Sequence, residues 1–299
     1  MQETWSSNLE WDKPLTENLR RAWDMYVQDL QGINTIQVPR KVIQGSRAVR
    51  FNLHAFCDAS LRAYGACIYL QTIDIDNNYS SSLLCSKSRV APVKSKTITL
   101  PRLELCGAVV LVRLFQNVKR ALRIEVSEMH AWSDSTIVLA WIAGDPSRQK
   151  SFVSNRVAEI QSILPREQWH HVDGSENPAD LISRGTSLKN LKQSNVWWRG
   201  PDWLSYSDNC EHQILKSPSL TEDDEKVVQA EQVSSARTFA TVGDSENFIE
   251  VLLNNFSSLT RIERILAWVI RFGFNVKLNH DKRKLSLCRP RRFGTRITY

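Results

Sequence analysis

Four carboxylates stand where chemistry could be done. Asp58 ends the stretch FNLHAFCD, in which Phe51, Leu53, Ala55 and Cys57 alternate with Asn52, His54, Phe56 and Asp58. That period of two predicts a strand delivering its last carboxylate to one end of a sheet. Glu104 lies in LPRLELCGAVV, just inside a helix opened by Thr99 and Pro101, so it can point off the first turn. Asp134 closes the strand-like MHAWSDS, and Asp180 sits in NPADLISRG, where Asn177 can cap and Pro178 fits the first helical position. Each also has a local explanation: turn chemistry for Asp58, helix capping for Asp134 and the helix dipole for Asp180. Taken together, two strand ends and two helix N-terminal turns converging on one sheet edge would crowd like charges, which repel unless divalent cations neutralise them. Two magnesium ions about 3.5 to 4 Å apart can activate a water and stabilise a leaving oxygen. The chemistry that fits is phosphodiester hydrolysis.

Such a cluster needs a particular framework, and the hydrophobic pattern supplies one. It predicts strands at 49–58, 63–73 and 80–89, a helix at 101–122, a strand at 128–133, helices at 135–143 and 152–163, a strand at 168–173 and a last helix at 178–184. A run of strands followed by helix-strand alternation implies an α/β fold with a mixed five-stranded sheet flanked by helices. Helical N- and C-terminal extensions are expected around it, since Leu19, Trp23, Tyr26 and Leu30 recur at helical spacing, as do Ile262, Ile265, Leu266, Val269 and Ile270.

The blocks FCDASLRAYGACIYL, SKSRVAPVKSKTITLPRLEL, WSDSTIVLAWI and NPADLISRG, in this order, resemble the ribonuclease H domain of Pao (BEL/Pao) long-terminal-repeat retrotransposon polyproteins. The resemblance covers residues 48–185 and implies a sheet with its first three strands antiparallel and the rest parallel. It implies Asp58, Glu104, Asp134 and Asp180 as catalytic, metal-binding carboxylates, with two Mg2+ or Mn2+ ions as cofactor. Its substrate would be an RNA/DNA hybrid, and its partners the reverse transcriptase and integrase parts of the same polyprotein. Arg89, Lys94, Lys96 and Arg102, between the third strand and the Glu104 helix, would contact the hybrid backbone, which positions a duplex without reading its sequence. This chain departs from many ribonucleases H at Gly174-Ser175, where they carry a Gly-His loop; assistance to product release from that histidine is therefore not expected. His170 and His171 are expected to be structural.

Two other readings remain open on sequence. One is a non-catalytic or domesticated binding module on the same fold. The other is a transposase-like D-D-E nuclease built from Asp58, Asp134 and a later helical glutamate such as Glu159.

The flanks divide by composition. Residues 1–47 resemble the connector that follows a reverse transcriptase, and 186–204 hold Trp197, Trp198 and Trp203, which are expected to anchor a turn. Residues 205–243 are polar and acidic and predict a linker, 244–276 a helical segment, and 277–299 a basic tail. That tail places eight lysines and arginines against Asp281 alone, in a chain whose formal net charge is +7. Such a cluster suits phosphate tracking or a solvated tail. The six cysteines lack metal-ligand spacing, and the apolar runs are too short for a membrane span. With no signal-peptide pattern at the N-terminus, the expected setting is the cytoplasm or nucleus.

Overall fold

The computed structural model describes residues 2–6, 10, 12–39, 42–43, 48–93, 98–206, 219–233 and 259–277. Lys94, Lys96 and residues 278–299 of the basic tail lie outside them. The chain forms two compact units, Met1–Ala236 and Arg237–Tyr299.

In the first unit, two helices precede the sheet, α1 (Gln2–Ser6) and α2 (Glu17–Leu30). Three long strands follow, β1 (Ala48–Ala59), β2 (Ala63–Asp74) and β3 (Tyr79–Val90), joined as antiparallel neighbours. The long helix α3 (Leu100–Ala121) then carries the chain across the sheet to β4 (Glu128–Ser133), which runs parallel to β1. Helices α4 (Thr136–Ala143) and α5 (Ser151–Ile163) lead to the short β5 (Trp169–His171), parallel to β4. The strand order is β3-β2-β1-β4-β5. This is the mixed five-stranded sheet that the sequence predicts, antiparallel on one side of β1 and parallel on the other.

The alternation in β1 decides which core each residue joins. Leu53, Ala55 and Cys57 face the larger core with Leu105, Leu111, Val138, Ile142, Val157 and Ile160, beneath α3, α4 and α5. Burial of each such aliphatic side chain contributes about 1.5–3 kcal/mol. Phe56, on the other face, packs with Tyr69, Trp132, Trp203 and Leu204 in a smaller aromatic core. That second core is closed by α6 (Asp180–Arg184), α8 (Asn195–Arg199) and the turn of 3-10 helix Asp202–Ser205, with α7 (Leu188–Gln193) connecting α6 to α8. Trp198 Nε1 donates to the Leu191 carbonyl, and the Tyr69 hydroxyl donates to the Trp197 carbonyl at 2.8 Å. Gly65 makes the close approach possible, because a Cβ there would lie against the Lys87 carbonyl and 2.7 Å from Ile182 Cγ2 of α6.

The polar stretch predicted as a linker behaves differently where it is described. Residues Glu222–Ala230 form α9, opened by a capping box between Thr221 and Asp224. It is attached to the domain: Lys150 N donates to the Glu231 carbonyl at 2.7 Å, Val233 N to the Arg148 carbonyl at 2.9 Å, and Arg102 pairs with Glu231 at 2.6 Å. The sequence shows only its polarity. What holds it is a set of partners 80 or more residues away in the chain.

In the second unit the described element is α10 (Leu259–Lys277), on which Ile262 is buried and Trp268, Val269 and Ile270 are exposed. Among the described residues no helix is long and apolar enough to cross a membrane.

Candidate active site

Cys57 of β1 is aligned with Ser133 of β4, so the next residues, Asp58 and Asp134, emerge side by side from two parallel strand ends. Glu104 enters from the first turns of α3, and Asp180 opens α6. Gly107, one turn after Glu104, lets α3 lie close to β1; a Cβ there would come within 3.1 Å of the Asp58 carbonyl oxygen.

Neighbouring residues perform the local tasks that could have explained each acid. Ser60 makes the turn after β1, its hydroxyl accepting from the amides of Arg62 and Ala63. Ser135, and not Asp134, caps α4 by accepting from Val138 N at 3.2 Å. Asn177 shapes the turn before α6, accepting from Ala179 N and donating to the Cys57 carbonyl at 3.1 Å. Helix α6 begins at Asp180, two residues later than the sequence predicts, because residues 177–180 close that turn first. Asp58 and Asp134 are thereby released from turn and cap duty, whereas Asp180 keeps its place in the first turn of α6.

Their electrostatics are those of a crowded acidic site. Burial, then the charges of Asp134 and Asp58, raise the Glu104 carboxyl to about 7 against a hydrogen bond from Ser135. Burial and Asp58 raise Asp134 to about 6, with Asn177 opposing. Asp58 is 6% exposed and also raised, chiefly by burial, although the Ser183 hydroxyl donates to its Oδ2. Asp180 is paired with Arg184 one turn on, and its charge is felt at Asp58 and Asp134. The four acids predicted from sequence are thus coupled at one sheet end. Among the described residues, no three His, Cys, Asp or Glu side chains converge closely enough to hold a metal ion as they lie. Asp58 turns to Ser183, and Asp180 to Arg184.

The predicted phosphate contacts divide. Arg89 is exposed at the end of β3, beside a hollow of about 280 Å3 lined by Tyr64, Cys106, Arg113, Asn155 and Arg156. Arg102 departs from the expectation: its guanidinium is held by Glu231 and lies over the Phe152 ring, so it is not presented as a free contact for phosphate. Arg113 and Arg156 were not singled out by sequence, because α3 and α5 come together only on folding. Glu159 makes two hydrogen bonds to Arg113, at 2.6 and 2.9 Å, and contributes to none of the shifts at Asp58, Glu104 or Asp134. This arrangement counts against a D-D-E site using that glutamate. Gly174 stands beside Asp134, 3.4 Å from its Oδ2 if a Cβ is added, where a Gly-His loop would be expected to run.

Residues 1–135 match the family described as the Pao retrotransposon-like RNaseH-like domain. No curated protein matches the chain. Solved structures similar to it include ribonuclease H1 from Halobacterium salinarum, at 11% identity and a TM-score of 0.29, over 48% of this chain and 99% of that one. Another is LC11-RNase H1 in complex with an RNA/DNA hybrid, at 17% identity and a TM-score of 0.31, over 47% and 99%. The N-terminal RNase H domain of a Mycobacterium tuberculosis protein is 14% identical with a TM-score of 0.29, over 46% and 92%.

Proposed function

We propose that this chain, whose residues 1–135 match the Pao retrotransposon-like RNaseH-like domain, hydrolyses the RNA strand of RNA/DNA hybrids with divalent cations held by Asp58, Glu104, Asp134 and Asp180. One observation carries the reading. Four acids from β1, α3, the end of β4 and α6 meet at one sheet end, where burial and the neighbouring charges raise the proton affinity of Asp58, Glu104 and Asp134, while Ser60, Ser135 and Asn177 do the local structural work. Natural proteins keep such uncompensated charge where it serves a ligand.

The donor set suits Mg2+ or Mn2+: every candidate ligand is a carboxylate oxygen, the choice of hard cations. A pair of such ions held there would supply activation of a water and charge stabilisation of the leaving oxygen, so that hydrolysis would leave 5′-phosphate and 3′-hydroxyl ends. The chain's own residues prepare the site. Ser183 orients Asp58, Ser135 steadies Glu104, and Asn177 ties the Asp180 turn to the β1 backbone. Arg89, exposed at the end of β3 beside the hollow between β3, α3 and α5, offers a cationic contact on which a duplex backbone can rest. In this reading the reverse transcriptase and integrase parts of one polyprotein are the natural partners, and the working compartment is the cytoplasm or nucleus.

The test is cleavage of a hybrid labelled on its RNA strand, in Mg2+ and in Mn2+, by the intact chain and by Asp58→Asn. Cleavage by the first and none by the second is expected. Equal activity of both would remove the carboxylate assignment.

A further inference from the structure

The surface under α9 presents hydrogen-bond donors, two of them cationic. Arg102 and Lys150 both reach toward this segment, Arg102 to the Glu231 carboxylate at 2.6 Å and Lys150 Nζ to the Ala230 carbonyl at 2.6 Å. Two backbone bonds join the segment to the turn before α5, from Lys150 N to Glu231 O and from Val233 N to Arg148 O. At its other end, the Thr136 hydroxyl, two residues beyond Asp134, donates to Asp224 Oδ2 at 3.1 Å. The Asp224 charge is felt at Glu104. Between Thr221 and Gln232 the segment carries five carboxylates, Glu222, Asp223, Asp224, Glu225 and Glu231, against Lys226 alone. An acidic helix therefore runs from beside the catalytic acids to Arg102, over positively charged and hydroxyl-bearing groups. Little apolar surface secures it: its described residues are exposed or half-exposed, with Val228 the one hydrophobic side chain among them packed against the larger core.

We propose that α9 covers part of the hybrid-binding surface as an acidic substitute for the nucleic-acid backbone, and that hybrid and α9 compete for Arg102 and Lys150. The inference rests on the hybrid-nuclease reading above and adds to it the occupant of that surface. The same donors that hold carboxylate and carbonyl oxygens of α9 would hold phosphate oxygens, and salt weakens both sets of contacts. Because α9 is tethered, its local concentration is high, and substrate binds only to the fraction of molecules in which it has lifted. If that fraction is about a tenth, releasing α9 tightens apparent hybrid affinity about tenfold.

The experiment uses the full chain with Asp58→Asn, so that substrate persists, and a second chain carrying Glu231→Gln as well. Hybrid affinity is measured for both, and amide hydrogen exchange is followed in residues 222–230 with and without hybrid. Competition predicts about tenfold tighter binding for the Glu231→Gln chain and faster exchange of α9 when hybrid is added to the parent. Hybrid that binds while leaving α9 exchange unchanged or slower overturns the inference and leaves the nuclease reading standing. Failure of both chains to bind hybrid overturns the two together.

Discussion

Two polar clusters share one face of β1, four residues apart, and they are built on opposite terms. At the strand end, Asp58 meets Glu104, Asp134 and Asp180, and burial with the neighbouring charges raises the proton affinity of Asp58, Glu104 and Asp134. In mid-strand, His54 is fully buried, yet its hydrogen bonds are complete: Trp132 Nε1 donates to its Nδ1 at 3.3 Å, so Nε2 carries the proton and donates to Gln71 Oε1 at 3.2 Å. Gln71 in turn donates to the Leu204 carbonyl at 2.7 Å. His130 and His170 continue the network at 3.1 Å, and the Trp132 and Trp203 rings lie 4.6 Å apart. Burial holds His54 and His170 neutral, lowered to about 3 and about 4. Both ring nitrogens of His54 have protein partners without any ligand, and the network supports the fold. The acidic end keeps several carboxylates close together, and either proton uptake or an added cation would relieve their repulsion.

The largest effect that would break this contrast is on activity. Asp134→Asn should lower hybrid cleavage by about a thousandfold or more, the loss of several kcal/mol of cation-borne stabilisation. Its metal-free thermal midpoint should stay level or rise, because a repelling charge has gone. A parallel fall in stability, read by calorimetry, would place Asp134 among the structural groups instead.

His54→Ala should do the reverse. It strands Trp132 Nε1, leaves Gln71 Oε1 with the Asn52 amide as its donor, and opens a cavity between the aromatic rings, at a cost of about 3 kcal/mol in denaturant titration. Cleavage per folded molecule should change little. Loss of activity with stability intact would show that the two clusters are coupled.

pH separates the clusters by sign. A histidine whose folded pKa lies below its unfolded value, 6.5 falling to about 3 for His54 and about 4 for His170, contributes stability that is present above pH 6.5. That contribution is lost as pH falls from there toward the folded values. Glu104 and Asp134, raised to about 7 and about 6, act oppositely: their contribution is present below their unfolded values and is lost as pH rises through the folded ones. A Glu104→Gln, Asp134→Asn chain should therefore lose stability more steeply between pH 6.5 and pH 4.5 than the parent does. Matching profiles from chemical denaturation at each pH would contradict this assignment.

The smallest effect concerns the division of labour around Asp58. Ser60→Ala removes the hydroxyl that accepts from Arg62 and Ala63 and donates to the Ser183 carbonyl, costing about 1 kcal/mol. Cleavage should remain within a few-fold of the parent. A collapse of activity would mean that the turn also sets the position of the carboxylate.

Much of the acidic end was legible in the chain. The alternation of FNLHAFCD assigned Asp58 to a strand end because a strand's side-chain period is two whatever it packs against, and the breaks around Thr99-Pro101 and Asn177-Pro178 located two helix starts from local backbone chemistry. These are local rules, and the sheet expected from them is the sheet observed. The histidine network was not legible. His54, His130 and His170 lie on three strands, and only the parallel alignment of His54 with His130, and of Trp132 with His170, brings them together. The fate of Arg102 was equally hidden, since its partner Glu231 is 129 residues away in a stretch whose composition suggested a linker. Sequence determined which residues the elements carry and which way each side chain faces along its own strand or helix. Tertiary structure alone decided which of them meet, because contacts between distant elements depend on register and packing that no local period encodes.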